Sequence, residues 1–318
     1  MHGLEIPAAI AGALIILVVF YDTFETMILP RSGGAGLRLT RFYFRLTWVV
    51  CRFVAMQLKY TNPARHTLLG IYGPLSLVLL IVLWANLLIL GFALLLFGFG
   101  SAPTTQSGNQ FANFGDYLYL SGVTLFTLGF GDKTPNNVAT KTLCVMEAGV
   151  GFGLLATVIG YLPTLYQTFA RRETTVLRLY VRTGAPTSAQ KLVERYRDAG
   201  AWSSLENLLA QWEQWGAELL ESHRSYPVLA FYRSQTEQDS WLAAAFTFCE
   251  VQGTIERLCP LDTPGRGSLL LQAEATKNIV DEALSDLADR LKVTHEKSPV
   301  MALSRELLLA LPPTHGND

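Results

Sequence analysis

The chain has 318 residues, half of them hydrophobic and only 16% charged, with a formal net charge of -1. A balance this close to neutral offers no electrostatic basis for nucleic-acid binding. The four cysteines show no metal-ligand spacing and are expected as free thiols. The charges are spread very unevenly, which marks a membrane protein carrying a sizeable soluble part.

The first apolar stretch runs from about 6 to 29. It lacks a basic start and a small-residue cleavage site, so it is expected as a retained transmembrane helix rather than a secretory signal. Its N-terminal flank has no Lys or Arg, whereas the next linker carries Arg31, Arg38, Arg41, Arg45, Arg52, Lys59 and Arg65. The excess of positive charge places the N-terminus outside and that linker in the cytoplasm.

Residues 37–60 hold enough Phe, Leu, Trp and Val to suggest a further span, but Arg38, Arg41, Arg45, Arg52 and Lys59 form one stripe on a helix. Each cation near the bilayer centre costs at least ~2.5 kcal/mol, so an in-plane interfacial helix is expected instead. Its opposite side would offer Phe42, Leu46, Val49, Val50 and Phe53 to lipid tails, and its arginines would meet anionic headgroups. A voltage sensor would carry arginines at every third position, which this spacing does not. Asp22 and Glu25 are candidate partners of the stripe.

No charged residue occurs between 68 and 99. At ~1.5 Å per residue this stretch exceeds a hydrocarbon core of ~30 Å, so it is a spanning helix. After it, Asn113 or Asp116 can cap a short helix. Its carbonyl end carries about half a negative charge and favours a cation beyond it. Tyr117 and Tyr119 would form an aromatic cuff or anchor it at the interface.

The run Thr127-Leu128-Gly129-Phe130-Gly131-Asp132 follows. A dehydrated ion needs rings of oxygens, and consecutive main-chain carbonyls supply them only if alternate residues adopt left-handed dihedrals, which glycine does at little cost. Gly129 and Gly131 stand at those alternate places, Leu128 and Phe130 would pack behind the loop, and Thr127 adds a hydroxyl. An ordinary interhelical turn would need neither both glycines nor flanking spans.

This hexapeptide resembles the potassium-channel signature, and the likeness extends upstream through residues 116–126 to cover about a third of the chain, from about 68 to 169. The resemblance implies K+ held by the carbonyls of Thr127, Leu128, Gly129 and Phe130 and by the Thr127 hydroxyl, with Gly131 completing the loop and Asp132, Thr124 and Glu147 supporting it. It departs from the commonest pattern at Phe130, which replaces a tyrosine, at Phe126, where a second threonine is common, and at Val123, which some members hold as glutamate. One such loop per chain implies a homotetramer.

The last span, about 143–169, contains Gly149, Gly151, Gly153, Gly160 and Pro163, candidates for a gating hinge or for close helix crossing. Glu147 is an acid within a span and so a functional candidate, read here as bracing the loop from behind. The span ends at Arg171-Arg172, on the cytoplasmic side.

From about 174 onward the chain reads as a soluble helical region. Ser203 to Glu206 resembles a capping box ahead of a stripe of Trp202, Leu205, Leu209, Trp212 and Leu219. Further helices are expected at 240–258, 269–292 and 299–311. No strand-helix alternation suggests a nucleotide-sensing domain, and its cytoplasmic ligand is unknown. The run from Ser222 to Pro227 with Tyr232, Arg233 and Ser234 reads as surface polarity at a helix junction rather than an anion pocket.

The expectation is therefore an all-α membrane protein: an N-terminal transmembrane helix plus basic helix over 1–66, a potassium-channel pore module over 67–172, and an all-α cytoplasmic domain over 173–318. The implied function is passive K+ conduction through a homotetrameric cell-membrane pore, with no enzymatic activity and no cofactor beyond the permeant ion. A weakly selective monovalent cation channel and a non-conducting membrane sensor are the alternatives.

Overall fold

The computed structural model describes residues 4–29, 39–59, 62–99, 103–105, 113–184, 187–234, 240–293, 303, 304 and 307. Arg31 and Arg38 of the basic linker, and nearly all of the predicted helix at 299–311, lie outside the described residues. The protein is an all-α membrane protein. Three of its described helices are long and apolar enough to cross a bilayer: Glu5–Ile28, Pro63–Gly98 and Val138–Thr183. It divides into two compact units, one of residues 1–56 and 74–164, the other of 57–73 and 165–318. The second unit takes in the start of the Pro63–Gly98 helix and the end of the Val138–Thr183 helix.

In the first unit, α1 (Glu5–Thr23) runs on as a π-helical turn, Phe24–Ile28. It crosses α3 (Pro63–Gly98) through small residues: a Cβ on Gly12 would lie 2.5 Å from the Gly91 carbonyl oxygen, and one on Gly98 would lie 2.6 Å from the Ala9 Cβ. Such residues let two backbones approach closely where apolar burial supplies no driving force between helices. Ile16, Val19, Leu80, Trp84, Leu88 and Phe92 fill the space around this crossing.

Between these spans lies α2 (Leu39–Gln57), which is not among the helices apolar enough to cross. It buries Trp48, Cys51 and Ala55 and exposes Phe42, Leu46, Val49, Val50 and Phe53. At 100° per residue, Arg41, Arg45 and Arg52 lie between these two faces, beside the exposed apolar face rather than opposite it. Asp22 is not drawn to the stripe as expected. Its buried carboxylate accepts bonds from the Thr40 N–H at 3.1 Å, the Thr40 hydroxyl at 2.6 Å and the Trp84 indole N–H at 2.8 Å. It therefore ties α1, the start of α2 and α3 together.

In the second unit, α5 (Val138–Thr183) extends well past the expected end of the span. No glycine or proline interrupts it after Pro163 until Gly184, whose φ of 74° ends it. Next come α6 (Ala189–Asp198), which the sequence reading missed, α7 (Trp202–Ser225), a 3-10 turn at Pro227–Phe231, α8 (Trp241–Leu258) and α9 (Arg266–Leu291). The stripe at Leu205, Leu209, Trp212 and Leu219 is buried, and the Trp212 and Phe248 rings stack 4.0 Å apart, joining α7 to α8.

The expected capping box at Ser203 is absent. The helix begins earlier, behind Ala201, and Glu206 instead accepts a hydrogen bond from Ser268. The polar run after Ser222 does not converge on one pocket. His223 is buried, Arg224 bridges α7 to Asp286 on α9 at 3.0 Å, and Arg233 donates to the Leu307 carbonyl at 3.0 Å. The four cysteines form no disulfide with one another.

Candidate functional site

The site begins with α4 (Phe114–Leu125), the short helix between the second and third spans. Asn113 accepts from the Asp116 N–H at 3.1 Å while the Asp116 carboxylate accepts from the Asn113 N–H at 3.0 Å, so the N-terminus is closed by a reciprocal cap. Apolar packing holds its flank. The Phe97 ring meets Tyr117 edge-on at 5.6 Å, and Leu120 and Val123 are buried against α3.

Beyond Leu125 the chain reverses. Thr127, Gly129 and Gly131 have φ of 55°, 56° and 76°, and Leu128 and Phe130 between them do not have positive φ. Residues with and without positive φ therefore alternate through the run. The threonine adopts this state despite its Cβ, at a cost of roughly 1–2 kcal/mol. The amides of the run turn back onto the helix: Thr127 N–H donates to Thr124 O at 2.9 Å, Leu128 N–H to Val123 O at 2.8 Å, and Gly129 N–H to Val123 O at 3.4 Å. In a trans peptide the carbonyl points opposite to the N–H it shares a bond with. The carbonyls of Phe126, Thr127 and Leu128 consequently point away from α4.

The flanks of the run are fastened separately. Lys133 pairs with Asp116 at 3.1 Å, linking the end of the run to the N-terminus of α4. A short antiparallel pair of β1 (Thr104–Thr105) and β2 (Lys133–Thr134) adds a second tie. Glu147 is fully buried and takes a hydrogen bond from Ser121, whose hydroxyl also lies 2.9 Å from the Ile89 carbonyl. Glu147 is thus tied to α4.

The glycines of α5 differ from one another. A Cβ on Gly151 would run into the Leu125 carbonyl, while Gly149, Gly153 and Gly160 have open space beside them in the single chain. The helix passes through all four, and through the exposed Pro163, without a break. Leu128 and Phe130, expected to pack behind the loop, are 55% and 65% exposed, and Phe126 is 58% exposed. Their own chain does not cover them. Sequence reading missed Ser121, because a lone serine in an apolar helix carries no distinguishing pattern. Among the described residues no His, Cys, Asp or Glu cluster could hold a metal ion.

Long apolar helices flank the capped short helix and the loop in which the sign of φ alternates. The chain carries an ion-channel domain: residues 77–168 match the family model described as "Ion channel". It is 26% identical over 242 residues to the Uncharacterized membrane protein YdjJ of Bacillus subtilis (strain 168), covering 74% of this chain and 65% of that one. It is 31% identical over 87 residues to Protein LctB of Geobacillus stearothermophilus, covering 25% of this chain and 64% of the relative. Over 58 residues it is 41% identical to Two-pore potassium channel 3 of Arabidopsis thaliana, covering 17% and 13%. The chain spans less than two-thirds of the length of each of these relatives. No solved structure matches it.

Proposed function

We propose that the chain is one subunit of a homotetrameric potassium-selective channel, in which K+ is bound by the carbonyls of Thr127, Leu128, Gly129 and Phe130 and by the Thr127 hydroxyl. The observation that carries this reading is the alternation of φ at Thr127, Gly129 and Gly131, with the Leu128 and Gly129 amides turned onto Val123. That geometry directs the carbonyls of Thr127 and Leu128 to the side opposite the pore helix, where they replace an ion's hydration shell. The likeness to the plant two-pore potassium channel supports potassium as the ion.

Four copies are required because one loop supplies only one side of a ring. Irregular backbone at membrane depth persists only when it is buried in protein or lines water, and this loop is bare in the single chain. Neighbouring copies supply the cover for Phe126, Leu128 and Phe130. Tyr119, Asp132, Thr124 and Glu147 brace the loop, and Gly149, Gly153, Gly160 and Pro163 are where the inner helix can bend. The N-terminus faces outward, the C-terminal helices lie in the cytoplasm, and Arg38, Arg41, Arg45 and Arg52 meet anionic lipid.

A weakly selective cation pore is the second reading, favoured by Phe130, which has no hydroxyl with which to brace the filter. Purified protein in liposomes, assayed by flux with ion substitution, decides between them. K+ flux that Gly129→Ala abolishes is expected, because alanine strains the backbone at φ 56° in four copies. Equal permeability to K+ and Na+ overturns selectivity, and an absence of flux under every condition overturns the channel itself in favour of a non-conducting sensor.

A further inference from the structure

Within the second unit, the segment from Leu229 to Tyr232 is held from two sides. On one side, Arg172 of α5 is buried and spends its guanidinium on backbone: Nη1 donates to the Leu229 carbonyl at 3.0 Å and Nη2 to the Tyr232 carbonyl at 2.6 Å, while Nε donates to Glu173 at 3.0 Å. The same cation lies 5.3 Å from the Phe169 ring centroid and 5.2 Å from that of Trp241 on α8. On the other side, the end of α3 nearest the N-terminus presses on the segment. Tyr72 meets Phe231 edge-on at 5.5 Å, and Gly73 is so close that a Cβ there would lie 2.7 Å from the Tyr232 ring and 2.9 Å from the Phe231 carbonyl oxygen.

A planar fork bonded to two carbonyls of one turn fixes both distance and orientation, which an ammonium on a flexible stem does not. The charge is balanced by its chain neighbour Glu173 and by carbonyl dipoles and ring faces. His223, packed 5.3 Å from Trp241, is buried as well, and burial together with Arg172 pushes its pKa down to about 3, so it adds no second cation to the cluster.

The two helices that hold the turn are the ones that continue into the ion-channel domain: α3 enters it at residue 77 and α5 leaves it at residue 168. We propose that the Leu229–Tyr232 turn, clasped by Arg172 and seated on Gly73, is the mechanical coupler through which the C-terminal helices set the opening of the pore. The inference rests on the channel reading given above. Any event that moves α7 or α8 shifts this turn, and the turn has a rigid hold on the outer and inner helices of the same subunit.

Arg172→Lys keeps the charge but loses the fork, and Gly73→Ala pushes the turn away from the opposite side. Both are compared with wild type by single-channel recording in planar bilayers and by hydrogen exchange of the intact protein. The expected result for each is faster exchange across 227–232 and 166–176, with open probability altered at least about tenfold while unitary current and reversal potential stay the same. The double variant should show no more than the larger single effect, since both release the same turn. Faster exchange with unchanged open probability overturns the coupling and leaves the pore reading intact. Unchanged exchange in both variants overturns the clasp. A silent wild type overturns the pore reading, and the coupling falls with it.

Discussion

Gly151 sits against the carbonyl oxygen of Leu125: a Cβ built on the glycine would run into that oxygen. Leu125 is the last residue of α4, the short helix ahead of the loop. The contact therefore seats α5 directly against the end of α4.

Gly151→Ala is expected to displace either the end of α4 or the whole of α5, at a cost of about 1–3 kcal/mol per chain. Thermal unfolding in detergent should show a lower midpoint, and K+ flux should fall in the same preparation. Gly160→Ala, which meets open space in the single chain, should retain the melting midpoint. Equal behaviour of the two variants would show that the Leu125 contact has no structural weight.

Ser121 and Glu147 form the second support. Removing the hydroxyl strands a fully buried carboxyl that has one remaining oxygen without a partner already, so Ser121→Ala is expected to cost about 1–3 kcal/mol. Glu147→Gln alone keeps an acceptor for the serine and should cost less. Combining Ser121→Ala with Glu147→Leu should recover part of the loss, since replacing both partners by apolar groups leaves nothing unsatisfied. Melting temperatures of the three variants check this, and strict additivity would argue against a direct interaction.

These two supports mark how far sequence reading reached. The Asn113–Asp116 cap and the glycines at alternate filter positions were readable because each is a local requirement, set by residues two or three apart. The link between Ser121 and Glu147 joins residues 26 apart, and nothing in either neighbourhood announces it. At Ser203 a local pattern misled: Ser and Glu have the spacing of a cap, yet the helix starts two residues earlier, at Trp202, with Leu205 and Leu209 buried, and Glu206 finds its partner on α9. The continuation of α5 past Arg171 was missed for a related reason. Its composition turns polar, which reads as the end of a span, while its backbone has no reason to stop before Gly184.

Asp22 supplies a third prediction. Its carboxylate accepts from three donors on two other helices, at Thr40 and Trp84. Asn presents one acceptor oxygen and turns an N–H group toward donors, so Asp22→Asn should cost about 1.5–3 kcal/mol, the range for hydrogen bonds to a charged group. Trp84→Phe should cost less and be strongly coupled to it in a double-mutant cycle. A melting midpoint for Asp22→Asn equal to wild type would exclude the joint as a source of stability.

The last prediction concerns acid. His223 is buried and neutral in the fold, with its pKa pushed down to about 3 from 6.5, first by desolvation and then by the nearby Arg172 cation. In the unfolded chain the imidazole recovers its ordinary value and takes up a proton as pH drops below 6.5. The unfolded state then binds more protons than the folded one, so the second unit loses stability as pH falls from 6.5 toward about 3, with about 2 kcal/mol gone by pH 5. Asp286, the other charge near His223, is also held below its usual value: burial acts to raise it, but hydrogen bonds from Arg290 and Arg224 outweigh that. Its contribution is lost only below pH 3.8, outside the upper part of the window. Hydrogen exchange of α7 and α8 in the intact protein, followed between pH 7 and 5 and corrected for intrinsic rates, should show declining protection in wild type. In His223→Leu the decline should flatten whatever the variant's stability at pH 7, and an unchanged slope would assign the acid sensitivity to another group.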